Sequence, residues 1–169
     1  MTRGEGERAA DLLWEDVERR FVPDGSLPDV FVPGATARDW QAVLDLVAES
    51  GWECEYFEGA TPLPVPSAEA VLARPAGAER PALHVWPTAD MLAIFRFYSD
   101  EEIDFDVDLR ELQGQERLDV FCDFLRSIGR RLGKPVLMYP ESGGQCPALL
   151  GFDVDADRVV LFADGPADP

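Results

Sequence analysis

Lysine is almost missing from this chain. Of its fifteen cationic side chains only Lys134 is a lysine, and they face thirty-three acids, for a formal net charge of −18. That imbalance excludes nucleic acid and anionic membrane as natural partners, because both repel such a chain at long range. It favours a basic protein partner, while the same acidity also serves solubility alone. Cysteine is sparse: Cys54, Cys122 and Cys146 are odd in number and far apart, which excludes a disulfide framework and a CxxC metal site and fits a reducing cytoplasm. Long apolar runs are missing too. The opening MTRGEGERAADLLWEDVERRF breaks its apolar residues with charges, so neither a signal-peptide core nor a membrane span is expected, and the location expected is cytoplasmic.

Catalytic residue types are few. His84 is the single histidine, set in the apolar run LHVW, and reads as a hydrogen-bonded interior side chain. Cys146 would serve as a nucleophile only with His84 beside it and electropositive surroundings, which so acidic a chain scarcely offers. Cys54 and Cys122 fall on apolar faces and read as packing. Ser142-Gly143-Gly144 has neither the lysine nor the following helix of a phosphate loop. No catalytic residue, metal ligand or cofactor is assigned on this basis.

What is present suffices for a core: hydrophobic residues make up 46% of 169, enough for one domain, with residues 59–80 the joint if it divides into two lobes. Helical spacing is expected over 7–21 (Ala10, Leu13, Trp14, Val17, Phe21), 37–50 (Trp40, Val43, Leu44, Val47) and 115–132 (Leu118, Phe121, Cys122, Leu125, Ile128, Leu132). Thr36 with Asp39 resembles a capping box, Gly51 and Gly133 suit C-terminal caps, and Ser67 caps a short helix to Ala73. Strands are expected at 29–32, 52–57, 82–86, 91–98, 102–109, 136–139, 148–153 and 158–162, while the prolines of GATPLPVP (59–66) exclude regular structure there. Hairpins mixed with two strand–helix–strand units predict an α+β fold, a mixed, mostly antiparallel sheet packed by two or three amphipathic helices.

The chain is organised around EIDFDVDL, Glu102 to Leu109. On a strand, Ile103, Phe105, Val107 and Leu109 share the core face, and Glu102, Asp104, Asp106 and Asp108 form a carboxylate ladder on the other. Neighbours on that ladder stand ~7 Å apart and repel by roughly 2 kcal/mol at an effective dielectric of ~20, so the ladder must be wet, neutralised or kept for a partner. A three-residue link, Ser99-Asp100-Glu101, makes a hairpin with 91–98 and sets Tyr98 opposite Glu102, Arg96 opposite Asp104, Ile94 opposite Asp106 and Leu92 opposite Asp108. The face formed by Leu92, Ile94, Arg96, Tyr98, Glu102, Asp104, Asp106 and Asp108 is the expected binding surface for a basic partner.

Three alternatives stand beside this reading. A helix roofing Leu92 and Ile94, with Asp104 paired to Arg96, would make the ladder mere surface. A secretion-type chaperone would use an exposed apolar groove. A metal-assisted hydrolase would draw on Asp104, Asp106 and Asp108, but alternate positions on one strand splay their carboxylates in a line, and Leu109 stands where a calcium loop needs glycine. Asp153, Asp155 and Asp157 repeat the spacing with Asp164 in the twelfth place, and there Arg158 replaces the glycine.

The blocks IDFDVDLRE, FLRSIGRRLGKPVLMYPE and PALLGFDVDADRVVLF together resemble small acidic bacterial proteins of the kind that act as immunity proteins to polymorphic toxins. The resemblance covers the C-terminal half. It implies a non-enzymatic cytoplasmic protein that neutralises a partner by binding, and carries no residue assignments.

Overall fold

Period-two alternation of apolar and polar residues produces nine strands, seen in a computed structural model that describes residues 10–140 and 147–162. They are β1 (Asp29–Pro33), β2 (Glu53–Glu58), β3 (Thr61–Leu63), β4 (Pro81–Thr88), β5 (Met91–Arg96), β6 (Glu102–Asp106), β7 (Val136–Tyr139), β8 (Leu150–Asp153) and β9 (Arg158–Leu161). All join one antiparallel sheet in the order β3-β2-β4-β5-β6-β1-β7-β8-β9. The helices are α1 (Trp14–Val17), α2 (Ala37–Ser50), α3 (Ala68–Leu72) and α4 (Gln115–Leu132). The fold is α+β, as the pattern of elements predicts.

Neither strand–helix–strand unit joins neighbouring strands. The chain from β1 through α2 to β2 passes over β6, β5 and β4, and the chain from β6 through α4 to β7 passes over β1. Each helix therefore lies across the strands it skips, and both lie on one face of the sheet. Trp40 of α2 meets Phe95 and Phe97, and Phe124 of α4 meets Phe95, Phe105 and Trp52. Phe95 and Phe105 are cross-strand partners with ring centroids 4.7 Å apart. Such pairs add about 0.5–1.5 kcal/mol each beyond the area they bury. This inner face is the core; Val30, Val32, Leu83, Val85, Ile103, Met138, Leu150 and Phe152 complete it from the strands.

Local signals decide the helix ends. The Asp39 N–H donates to Thr36 Oγ1 at 3.2 Å and the Thr36 N–H to Asp39 Oδ2 at 3.0 Å, the expected capping box. Gly51 and Gly133 close α2 and α4 with φ of 71° and 65°, where a Cβ would be strained. The lone lysine ties the end of α4 to the start of α2: Lys134 Nζ pairs with Asp39 and donates to the Gly34 carbonyl at 2.8 Å.

Three expectations need correction. The helix expected over 7–21 is, among the described residues, one α turn in α1 and a 3-10 turn at Glu18–Arg20; its N-cap Leu13 has no side chain that can cap, and the Trp14 N–H donates instead to Gln115 Oε1 at 2.7 Å. Leu13, expected on the apolar stripe, is exposed. Within GATPLPVP, Thr61–Leu63 does form a strand, at the sheet edge where the missing N–H of Pro62 breaks no ladder. Finally, β5 and β6 end at Arg96 and Asp106, two and three residues earlier than alternation suggests.

One packing contact has a measurable cost attached. A Cβ on Gly129 of α4 would land inside the Phe152 ring of β8. Gly129→Ala is expected to lower stability by about 1–3 kcal/mol despite alanine's better helix propensity, read as a lower midpoint in urea unfolding.

An acidic cluster on the outer sheet face

The outer face carries the alternate side chains of the same strands. Two cross-strand rows define it. One runs Glu55, His84, Ile94, Asp106, Asp29, Tyr139; the other runs Phe57, Ala82, Arg96, Asp104, Phe31, Leu137. The hairpin register expected for Arg96 with Asp104 and Ile94 with Asp106 is the one observed. Ile94, Arg96, Phe31, Tyr139, Leu137, His84, Phe57 and Trp86 are all half-buried, and α2 and α4 pack on the opposite face.

The carboxylates are arranged differently from a straight ladder. β1 lies against β6 and sets Asp29 directly opposite Asp106, with Asp104 one row along. One oxygen from each of Asp29, Asp104 and Asp106 lies within 4.8 Å of the others. Asp108 is not among them. The strand has ended, and Asp108 caps a 3-10 turn, accepting from the Arg110 N–H at 2.9 Å and pairing with its guanidinium, which holds its carboxyl below the usual range. The hydrolase set Asp104, Asp106 and Asp108 is therefore not assembled, and Leu92 has no register partner at Asp108. The Leu92 N–H instead donates to Glu111 Oε1 at 3.0 Å.

Arg96 lies opposite Asp104 yet pairs diagonally, its Nε donating to Asp106 Oδ2 at 2.8 Å. The expected Arg96–Asp104 pair is thus replaced by Arg96–Asp106. Asp104, only 7% exposed, keeps a buried Oδ1 with no hydrogen-bond partner among the described residues. Like charges about 5 Å apart at an effective dielectric near 20 repel by roughly 3 kcal/mol. Burial, then Asp29, Asp106 and Glu102, push the Asp104 carboxyl up to about 7, with Arg96 opposing. Glu102 is exposed opposite Pro33, and Tyr98, 63% exposed, follows the end of β5.

Other candidates fall away from this cluster. His84 belongs to the outer face, not the interior, with Phe57 and Trp86 rings at 5.0 and 6.0 Å; burial lowers its pKa against the pull of Glu55. Burial raises both the Cys54 and Cys122 thiols, which suits packing and not attack. Cys146, Ser142-Gly143-Gly144 and Asp164 lie outside the described residues. Asp153 accepts from the N–H groups of Asp155 and Ala156, and Asp157 takes a two-pronged contact from Arg130, so these acids build a hairpin turn and are not gathered on a cation. Two concavities of about 670 and 700 Å³ lie elsewhere, one beside Arg74 and Tyr98 and one between Arg19 and Met138.

Reading the sequence alone misses Asp29, Phe31, Tyr139, Phe57 and Trp86 as members of this face. Each was visible as the polar or outward phase of its own strand; what the sequence does not display is that β1 inserts between β6 and β7. Among the described residues no helix is long and apolar enough to cross a membrane. Comparison of the chain with protein-family models, curated proteins and solved structures yields no match.

Proposed function

We propose that this is a non-catalytic binding protein whose outer sheet face receives a basic protein partner, in the manner of an immunity protein that occupies a toxin domain. The supporting observation is the composition of that face: Asp29, Asp104 and Asp106 at its centre, with half-exposed Ile94, Phe31, Tyr139 and Trp86 around them. A net charge of −18 steers a cationic surface toward the chain, and the aromatic side chains supply area that holds it after encounter.

The test is association kinetics with the basic proteins encoded beside this gene, at low and moderate salt. Neutralising Asp29 and Asp106 to Asn is expected to slow association about tenfold and flatten its salt dependence, whereas Trp86→Ala or Tyr139→Ala speeds dissociation. Kinetics unmoved by all four changes would remove the outer face from the interaction. A cytoplasmic location follows from this reading and is checked by fractionation.

A further inference from the structure

The topology brings together acids that the sequence keeps far apart. Asp29 comes from β1; Asp104 and Asp106 come from β6, paired with it. Their gathered oxygens lie within 4.8 Å of one another, about the distance between opposite ligands of a calcium ion at ~2.4 Å. A second observation points the same way. Asp104, on the same face by register, is more than nine-tenths buried, and its Oδ1 has no hydrogen-bond partner among the described residues. Buried carboxylate oxygens are normally satisfied, so an orphan beside two further carboxylates marks a missing positive partner. Arg96, which lies opposite Asp104, spends its Nε on Asp106 Oδ2 at 2.8 Å.

We propose that Asp29, Asp104 and Asp106 bind one hard divalent cation, Ca²⁺, Mg²⁺ or Mn²⁺, on the outer sheet face. The donor set is all oxygen, without the imidazole or thiolate that would select zinc or copper. Two strands hydrogen-bonded to each other hold the ligands, which suits a site formed before the ion arrives. The positions toward solvent remain for water or for an oxygen of a bound molecule. The inference goes beyond the partner reading and does not rest on it, because the ion is sought on the chain alone.

Chelator-treated protein is titrated with CaCl₂, MgCl₂ and MnCl₂ by calorimetry, and its thermal midpoint followed in parallel. At least one of the three is expected to bind once per chain, at or below about millimolar concentration, and to raise the midpoint. Asp104→Asn and Asp29→Asn should each weaken that binding at least about tenfold while circular dichroism shows the fold retained. Asp153→Asn, on β8 at the turn, should bind as the parent does. Failure of all three ions to bind the folded parent, or binding left unchanged in either cluster variant, overturns the site. A partner that still associates with ion-free protein leaves the docking proposal standing when the ion site falls, so the two fail separately.

Discussion

In chelator-treated buffer, Asp104→Asn should be more stable than the parent at pH 8 by up to about 4 kcal/mol and nearly indistinguishable from it at pH 4. The sign follows from the direction of the shift. Burial and the neighbouring carboxylates raise the folded-state pKa of Asp104 to about 7, well above the unfolded value near 4. Between those values the folded chain holds a proton that the unfolded chain releases. Stability of the parent therefore falls as pH rises through that window and levels off above it. Asparagine resembles the protonated acid in shape and does not titrate, so the variant escapes this loss. The charged groups that act on the position are Asp29 from β1, Asp106 and Glu102 from β6, and Arg96 from β5. Urea unfolding at several pH values gives the difference curve; a difference that stays flat from pH 4 to pH 8 would mean that Asp104 is not held in the strained environment described. Chelation matters because a bound cation would keep Asp104 ionised and shrink the difference.

This result would bear on how much of the site the chain declares in advance. Strand phase is a local property, so the division of Glu102–Asp106 into an inner apolar and an outer acidic row was readable from alternation, though the burial of Asp104 was not. The register of Arg96 with Asp104 was readable too, since any slip by one would have put Phe97 against an acid. Helix ends were legible for α2 and α4 because their caps are made within a few residues by Thr36, Asp39, Gly51 and Gly133. The arrangements that escaped are those settled between distant segments. Nothing near Asp108 signals that the strand stops at Asp106, and nothing near Asp29 signals that it will stand opposite Asp106. Nor does Arg96 announce its preference for the diagonal acid over the one facing it. The composition of the cluster is thus a consequence of strand order, and strand order is set by two helices that skip neighbours.

The same lesson applies to Asp11→Ala, which should cost roughly 3–5 kcal/mol. Asp11 has a side chain only 4% exposed; its Oδ2 accepts from Arg126 Nη1 at 2.6 Å and from the Val159 N–H at 2.9 Å. One carboxylate thereby joins the segment before α1 to the middle of α4 and to strand β9, across 115 and 148 residues of chain. Removing it strands a guanidinium that is nine-tenths buried, and Asp123, the other acid on Arg126, is mostly exposed and a weaker counter-charge. Breaking a buried pair from one side leaves the remaining charge without compensation, which costs more than the pair contributes. Against a total stability of about 5–15 kcal/mol typical of a domain, that is a large fraction. Two further variants separate the causes. Asp11→Asn keeps an acceptor for Val159 and loses only the charge, so it should fall between parent and Asp11→Ala. Arg126→Met in the Asp11→Ala background removes the stranded cation and should recover part of the loss. If Asp11→Ala and the double variant unfold at the same urea concentration, the cost lies in the lost backbone contact to β9 and not in the buried charge.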